Sequence, residues 1–211
     1  MVSGWVPIPV IVQCVALAST ELFNHFLGRS DERKPGPHVG LNTRSTQALA
    51  PFTRRQEYRA VPANPSESLL VDGQFTLPAD CAYVDYYDMP GAQTVRQVEG
   101  HALRQARFDP VSGPTSAFPL VTTVENGEKQ IYPATVTKAA VQYFARPPRP
   151  TYVETYAADG TAMYDDLSSV DVGWGREHEP DLLQRTLRYV AQAIKDGMLT
   201  QTANGLTQEN S

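Results

Sequence analysis

The sequence predicts an α+β fold in which N- and C-terminal helices pack together around a central antiparallel β-sandwich or barrel-like insertion. Apolar residues recur at helical spacing near both ends of the chain, whereas the period changes to two from about residue 47. The helical pattern returns only after a proline-rich segment that ends at Pro150. Terminal helices that each carry an apolar stripe most simply pack on each other, so the β module projects from them as a separate layer.

The first helix is expected to begin near Pro9, because proline suits the first helical position, and to end near Gly28. Two apolar rows follow Pro9: Ile11, Val15, Ala18, Leu22 and Phe26, then Val12, Ala16, Phe23 and Leu27. Two rows predict contacts on more than one side, either with a second helix and a sheet or with another copy of the chain. The charged and Pro/Gly-rich residues that follow predict an exposed arm, so residues 1–46 form the first region.

Residues 47–150 are predicted to form the β-rich module. Short segments rich in β-branched and aromatic residues lie at 57–61, 69–71, 83–88, 121–124, 130–132 and 135–143. The Asn126-Gly127 pair predicts a hairpin between Val124 and Ile131. In the segment 135–143, alternate residues are expected to share one face of a strand: Thr135, Thr137, Ala139, Val141 and Tyr143.

Residues 151–198 are predicted to form an extended segment, including an edge strand at 152–156, and then the C-terminal helix. Pro180 and Asp181 suit a helix start, and Gly197 is the expected end. The apolar stripe of this helix is Leu183, Leu187, Val190, Ile194 and Met198, and the side chains expected to face outward are Gln184, Arg185, Arg188 and Lys195. Residues 199–211 are expected to form a polar tail.

The composition excludes several functional classes. The 211 residues carry 18 Lys and Arg against 23 Asp and Glu, a formal net charge of −5, which argues against a dedicated nucleic-acid-binding protein. Two cysteines, Cys14 and Cys81, are too few for a disulfide framework and predict free thiols in a reducing cytosol.

The apolar run 6–18 resembles a secretory leader, but no positive segment precedes it and prolines interrupt it. It is also too short to span a bilayer, so no membrane association is expected.

The sequence offers no convincing catalytic, metal or cofactor site. The four histidines (His25, His38, His101 and His178) are scattered, and no Gly-x-Ser-x-Gly or phosphate-cradling glycine motif is present. A carboxylate pair could be drawn from Asp80, Asp85, Asp88, Asp165, Asp166 and Asp171. The last three could also coordinate calcium, but they lack the twelve-residue loop pattern. The expectation is a protein that is not an enzyme and that needs no cofactor or metal.

The last third of the chain is instead predicted to be scaffold and docking surface. Tyrosines are concentrated in the β part, where half-buried strand positions explain many of them, but exposed tyrosines beside arginine also favour protein–protein contacts. The residues expected at an oligomer or partner interface are Arg146, Pro147, Pro148, Arg149, Pro150, Trp174, Leu183, Leu187, Val190 and Ile194.

Several short motifs, read in order over residues 65–200, resemble a family of small structural proteins from tailed bacteriophages. They are a Leu-Pro-x-Asp turn at 77–80, a Pro-Thr loop near 114–115, Ile-Tyr-Pro at 131–133, Tyr-x-x-x-Pro-x-x-Pro at 143–150, a Ser/Asp/Trp stretch at 168–174 and His-x-Pro at 178–180. The chain is similar in these features to the head-to-tail connector (adaptor or neck ring) proteins of podovirus-type and crAss-like phages. The Pro-rich start and the basic 29–34 arm depart from the pattern.

The resemblance implies a homo-oligomeric ring of about 12 copies between the portal protein and the tail or neck proteins, with genomic DNA passing through its lumen without specific binding. It implies no catalysis, and it places the protein in the virion after assembly in the host cytoplasm. Other assignments stay open: another virion component such as a tail, collar or capsid-decorating protein, a secreted β-rich binding module, or a hydrolase that acts through carboxylates.

Overall fold

The computed structural model describes residues 6–28, 43–109, 113–124, 127–157 and 159–209. Its helices, together with its mixed and antiparallel sheets, confirm the α+β class. The chain divides into two compact units: Met1–Phe52 together with Arg146–Ser211 form the terminal unit, and Thr53–Ala145 form the middle unit. The predicted β-rich range 47–150 contains the middle unit.

The helices are α1 (Ile8–Phe26), α2 (Thr43–Leu49), α3 (Gly100–Phe108) and α4 (Glu179–Glu209), and single 3₁₀ turns stand at Ala50–Phe52 and Arg176–His178. The strands are β1 (Thr53–Arg59), β2 (Ser68–Leu69), β3 (Gln74–Phe75), β4 (Cys81–Asp88), β5 (Arg96–Gln97), β6 (Leu120–Thr123), β7 (Lys129–Tyr132), β8 (Lys138–Ala145), β9 (Glu154–Tyr156) and β10 (Ala162–Tyr164).

The terminal unit is built on the packing of α1 against α4, which confirms the predicted pairing of the terminal helices. Helix α1 starts directly after Pro7, whose carbonyl accepts from the Val10 N–H at 2.9 Å. It ends before Gly28, which has a φ of +70° that glycine adopts without steric cost. Cys14, Ala18, Ser19, Leu22 and Phe23 are its buried residues.

The predicted end of the last helix at Gly197 was wrong, because the backbone of α4 stays helical to Glu209. A glycine inside a helix costs only about 1 kcal/mol relative to alanine, and no proline follows it to force a stop. The polar segment predicted as a separate tail is therefore the C-terminal extension of α4.

The middle unit contains two open four-stranded sheets, with strand orders β2-β1-β8-β4 and β3-β7-β6-β5. The predicted hairpin is confirmed, since β6 and β7 pair antiparallel with Val121 opposite Ile131. The barrel alternative was wrong because neither sheet closes on itself. The sheets are also not wholly antiparallel: β2 pairs with β1, and β5 with β6, in parallel over two residues each, which is too short a match for a sequence pattern to reveal.

Both sheets contribute side chains to one buried cluster. The predicted face is confirmed within β8, where Ala139, Val141 and Tyr143 all belong to this cluster, whereas Thr135 and Thr137 precede the strand and are exposed. Tyr58 on β1 packs against Phe75 on β3 with ring centroids 4.5 Å apart, and its hydroxyl donates to the Thr76 carbonyl at 2.9 Å. Burial raises the pKa of the Tyr58 phenol, so this side chain stays neutral and keeps its donor.

A third, two-stranded sheet lies in the terminal unit, where β9 and β10 pair antiparallel. It confirms the strand predicted at 152–156 for the last three of those residues, and Gly160, between β9 and β10, has a φ of +80°. Thr151 and Val170 close the base of this element by reciprocal backbone hydrogen bonds of 3.1 Å. Residues 151–171 are called the acidic hairpin below.

Candidate assembly interface

The contact between α1 and α4 is organised around the carboxylate of Glu21. Arg185 and Arg188 on α4 each donate to one of its oxygens, and the Tyr189 hydroxyl donates to Oε2 at 3.0 Å. These three donors are spaced three and four residues apart, so they lie on one face of α4. Glu21 thereby determines which face of α4 is turned toward α1.

The pKa of Glu21 lies below its ordinary value of 4.5. Partial burial acts to raise this pKa, but the hydrogen bonds from Arg188 and Tyr189 and the charges of Arg185 and Arg188 together outweigh it. A carboxyl whose pKa is lower in the folded state contributes stability above its unfolded pKa and loses it as the pH falls through the folded value. The α1–α4 contact is therefore expected to weaken under acidic conditions, from about pH 4.5 downward.

Glu21→Gln is expected to destabilise the protein by about 1–2 kcal/mol, because it removes the charge that pairs two arginines at a site about a third exposed. Urea unfolding at neutral pH measures this loss. The loss should shrink toward low pH, where the wild-type carboxyl becomes protonated as well. Glu177→Gln, at an exposed carboxylate, is the matched control and should leave stability unchanged. An equal effect of the two substitutions at neutral pH would contradict this assignment.

The inward face of α4 is not the predicted apolar stripe. Thr186 is buried and Leu182 is half-buried, whereas Leu183, Leu187 and Ile194 are 60%, 58% and 40% exposed. Arg185, predicted to face outward, is instead turned toward Glu21. The ion pairs with Glu21 set the rotation of α4 about its axis, so the apolar stripe lies on a side of α4 that does not face α1.

The exposed positions form a continuous apolar strip along α4. At 100° per residue, Leu183, Leu187 and Ile194 lie within about 40° of one another around the helix axis. Val190 lies between them and is half-buried. We call these four residues the α4 stripe. It is an apolar surface that α1 does not cover.

The proline-rich exit from β8 forms a second surface, together with α1. Arg146, Pro148 and Arg149 are exposed, Pro147 is half-buried and Pro150 is buried. A cavity of about 310 Å³ lies between this segment and α1, lined by Ala16, Leu17, Thr20, Pro147, Pro148 and Arg149 among others. We call it the proline pocket. It combines apolar walls with a cationic rim.

The structure corrects the placement of Trp174, which was predicted at an interface. Its side chain is buried, with the ring 4.8 Å from Phe52 and 5.5 Å from His178 between centroids. Its Nε1–H donates to the buried Ser19 hydroxyl of α1 at 2.8 Å. Trp174 therefore joins the segment before α4 to the core of its own unit, because an indole is stable inside when its N–H has a partner.

The motifs behind the family resemblance lie at junctions between elements. In the Leu-Pro-x-Asp turn, the Cys81 N–H donates to the Pro78 carbonyl at 2.9 Å, and Asp80 accepts from the Tyr143 hydroxyl at 3.2 Å. Tyr132-Pro133, a cis peptide, ends β7. His178, at the start of α4, packs on Phe26 with centroids 5.1 Å apart. These residues shape the fold locally.

Several of the carboxylates considered for catalysis are engaged in local structural contacts. Asp88 pairs with Arg55 at 2.8 Å, Asp85 accepts from Gln142 at 3.3 Å, and Asp165 accepts from the Leu167 N–H at 3.0 Å. Within the described ranges, no three His, Cys, Asp or Glu side chains gather as metal ligands. His38 lies outside the described residues.

The acidic hairpin is a candidate surface that the sequence-based prediction missed. Its carboxylates were weighed only as catalytic or calcium-binding groups, whereas its exposed aromatic residues accompany them on one projecting element. A usable signal existed in the sequence, because residues 151–175 contain five Asp and Glu and no Lys or Arg. Tyrosines are enriched at interfaces, and a run of one charge sign beside them favours a partner of the opposite charge.

No protein-family model matches the chain, and a search of curated proteins found no relative. None of the helices in the described part of the chain is long and apolar enough to cross a bilayer.

Proposed function

We propose that the chain is a subunit of a head-to-tail connector (adaptor or neck) ring of a tailed bacteriophage. Copies would stand side by side between the portal and the tail proteins of the virion, around a lumen through which genomic DNA passes. The observation that carries the proposal is the α4 stripe, an apolar helix face left exposed although a neighbouring face of the same helix is already packed on α1.

An exposed apolar strip of this kind favours a protein partner. Water contact with three large aliphatic side chains is unfavourable, and a matching surface that removes about 100 Å² of apolar area contributes roughly 2.5 kcal/mol. The partner proposed is a neighbouring copy, since the strip is presented on the helix that closes the terminal unit. In a ring each copy meets two neighbours, so a second, different surface is also needed.

The charge distribution supports a lumen that does not grip DNA. Lys and Arg side chains supply most of the attraction to phosphate, and the chain carries a net charge of −5. Several arginines are also neutralised internally: Arg55 pairs with Asp88, Arg59 with Glu67 at 2.9 Å, and Arg185 with Glu21. The order of the motifs over residues 65–200 is the further support, through the family resemblance described above.

Another virion component, such as a tail, collar or capsid-decorating protein, is the second candidate. The stacked pair Tyr152 and Tyr164, with centroids 5.4 Å apart on an exposed hairpin, equally suits a protein that decorates a larger assembly.

A secreted β-rich binding module would present the same tyrosines. It would, however, lack its first residues, up to about Ala18, in an intact-mass measurement of the mature protein.

Antibody labelling of purified virions in negative stain tests the connector proposal. We expect label only at the junction of head and tail, and isotope-dilution mass spectrometry should give a copy number close to that of the portal protein. Antibody absorbed beforehand with the purified chain is the control. Label on the capsid surface or the tail tip would favour the second candidate, and absence of the chain from virions would contradict both.

A further inference from the structure

The acidic hairpin exposes apolar and aromatic side chains that its own copy does not cover. Leu167 is 97% exposed, and Tyr156 and Tyr164 are 70% and 54% exposed. Two-stranded hairpins are only marginally stable by themselves and leave both strand edges open. Tyrosine is enriched among the residues that contribute most to binding at protein interfaces, so Tyr156 and Tyr164 suit a contact surface.

The same element carries negative charge that its own copy does not neutralise. Its acidic residues are Glu154, Asp159, Asp165, Asp166 and Asp171, and in the described residues none of them forms an ion pair. Hydrogen bonds donated within their turns, from Thr161 and Ser168, lower the pKa of Asp159 and of Asp165. Both carboxylates therefore remain ionised at neutral pH.

The proline pocket complements the acidic hairpin in both hydrophobicity and charge. Its walls include Leu17, which is 47% exposed, and the rings of Pro147 and Pro148. At about 310 Å³ it has the size of a small binding cavity, and proteins use cavities from about 300 Å³ upward to hold ligand groups. Arg149 lines the pocket, and Arg146 directly precedes its Pro147 in the chain. Both arginines are exposed, and neither has an acidic partner among the residues that the structure describes.

We propose that the acidic hairpin of one copy docks on the proline pocket of the next copy, with Leu167 entering the pocket and the hairpin carboxylates facing Arg146 and Arg149. The occupant is a second copy because one chain carries both halves of a charge-complementary pair and leaves both unneutralised. The two surfaces differ, so the contact is heterologous and repeats from copy to copy, as ring closure requires. This inference rests on the proposed ring and gives it a contact whose two surfaces, the acidic hairpin and the proline pocket, lie on one chain.

Photo-crosslinking locates the contact. A benzophenone amino acid replaces Leu167, whose exposure makes the change harmless to the fold, and ¹⁴N- and ¹⁵N-labelled chains are mixed before irradiation. We expect mixed-isotope cross-links that map to the α1 residues near Leu17 or to residues 147–149. The control is the same amino acid at Val61, which is exposed in the middle unit and should give no cross-link to the pocket. Cross-links from position 167 that are only intramolecular, or that map elsewhere, would overturn the proposal.

A charge-reversal cycle measures the same contact without a probe. Asp166→Arg and Arg149→Glu should each weaken self-association by about tenfold and make it less sensitive to salt, because each removes an attraction between opposite charges, whereas the double variant should recover most of the loss. Neither side chain has an ion-pair partner in the described part of its copy, so monomer stability should not change. Circular dichroism and thermal unfolding check that each variant is folded.

The outcomes separate this contact from the ring itself. If the wild-type chain assembles and the single reversals assemble equally well, the hairpin contact is overturned while the connector proposal stands. If association falls in both single variants and returns in the double variant, the contact is supported. If the wild-type chain fails to associate at any concentration, and no mixed-isotope cross-link forms, both the contact and the self-assembling ring are overturned.

Discussion

Leu187→Asp is expected to abolish self-association of the chain while leaving the monomer folded. Leu187 is 58% exposed in the α4 stripe, so the substitution should change the free energy of unfolding by only about 0.5 kcal/mol. At the contact between copies, the loss of one buried leucine costs roughly 2–3 kcal/mol, and burial of a carboxylate adds to it. Since about 1.4 kcal/mol corresponds to tenfold in affinity, association should weaken by more than about a hundredfold.

Sedimentation velocity measures this effect, and Gln184→Asp is the matched control. Gln184 is exposed on the same helix about a quarter turn from the stripe, so it gains the same charge without entering the proposed contact. Leu187→Met should associate like wild type, because it keeps an apolar side chain of similar volume. If Leu187→Asp assembles normally, the α4 stripe is not the contact between copies. If the variant unfolds, the assignment of an exposed stripe is wrong.

Trp174→Ala is expected to have the largest effect on the fold, about 3–5 kcal/mol of destabilisation. The substitution leaves a cavity beside Phe26, Phe52 and His178, and it removes the donor to the Ser19 hydroxyl, which is itself buried. For a chain of this length each 1 kcal/mol lowers Tm by about 2–4 °C, so Tm should fall by roughly 6–20 °C.

Two further variants distinguish the destabilisation caused by the cavity from that caused by the lost hydrogen bond. Trp174→Phe keeps an aromatic ring but no donor, so it should cost less than alanine, about 1–3 kcal/mol. Tyr156→Ala removes an aromatic side chain that is 70% exposed in the same unit, and in dilute protein it should leave Tm unchanged. An equal Tm for Trp174→Ala and wild type would contradict the position of Trp174 in the core.

Features governed by local periodicity were predictable. The first helix, the β6–β7 hairpin and the buried face of β8 each follow from residues a few positions apart, such as the alternation of Ala139, Val141 and Tyr143. The pairing of the terminal helices was also predicted, because each pattern carried an apolar stripe, but the structure makes this contact through another face of α4 and leaves its stripe exposed.

The rotation of α4 could not be predicted, because it depends on a contact distant in sequence. Periodicity ranks helix faces by hydrophobicity and so selected the face of Leu183 and Leu187 as the buried one. Arg185 and Arg188 instead reach Glu21, more than 160 residues earlier in the chain. A pattern within one helix contains no information about a carboxylate on another helix.

The candidate surfaces were predictable in part. The exposed arginines of the proline exit were expected at a surface, since three prolines within four residues stiffen a segment that cannot join a sheet. Trp174 was misplaced because tryptophan is frequent both in cores and at interfaces, and only its Ser19 partner distinguishes the two. The acidic hairpin could be recognised as a surface only from the exposure of Leu167, which depends on the folded chain.

We propose that identical copies associate side by side into a closed ring. Native mass spectrometry of the full chain over a wide concentration range tests this association, together with class averages from negative stain of the same sample. We expect one discrete oligomer of about 12 copies with a central hole, in equilibrium with folded monomer. A chain that stays a folded monomer at every concentration, or that associates into a two-fold dimer without a hole, would contradict it.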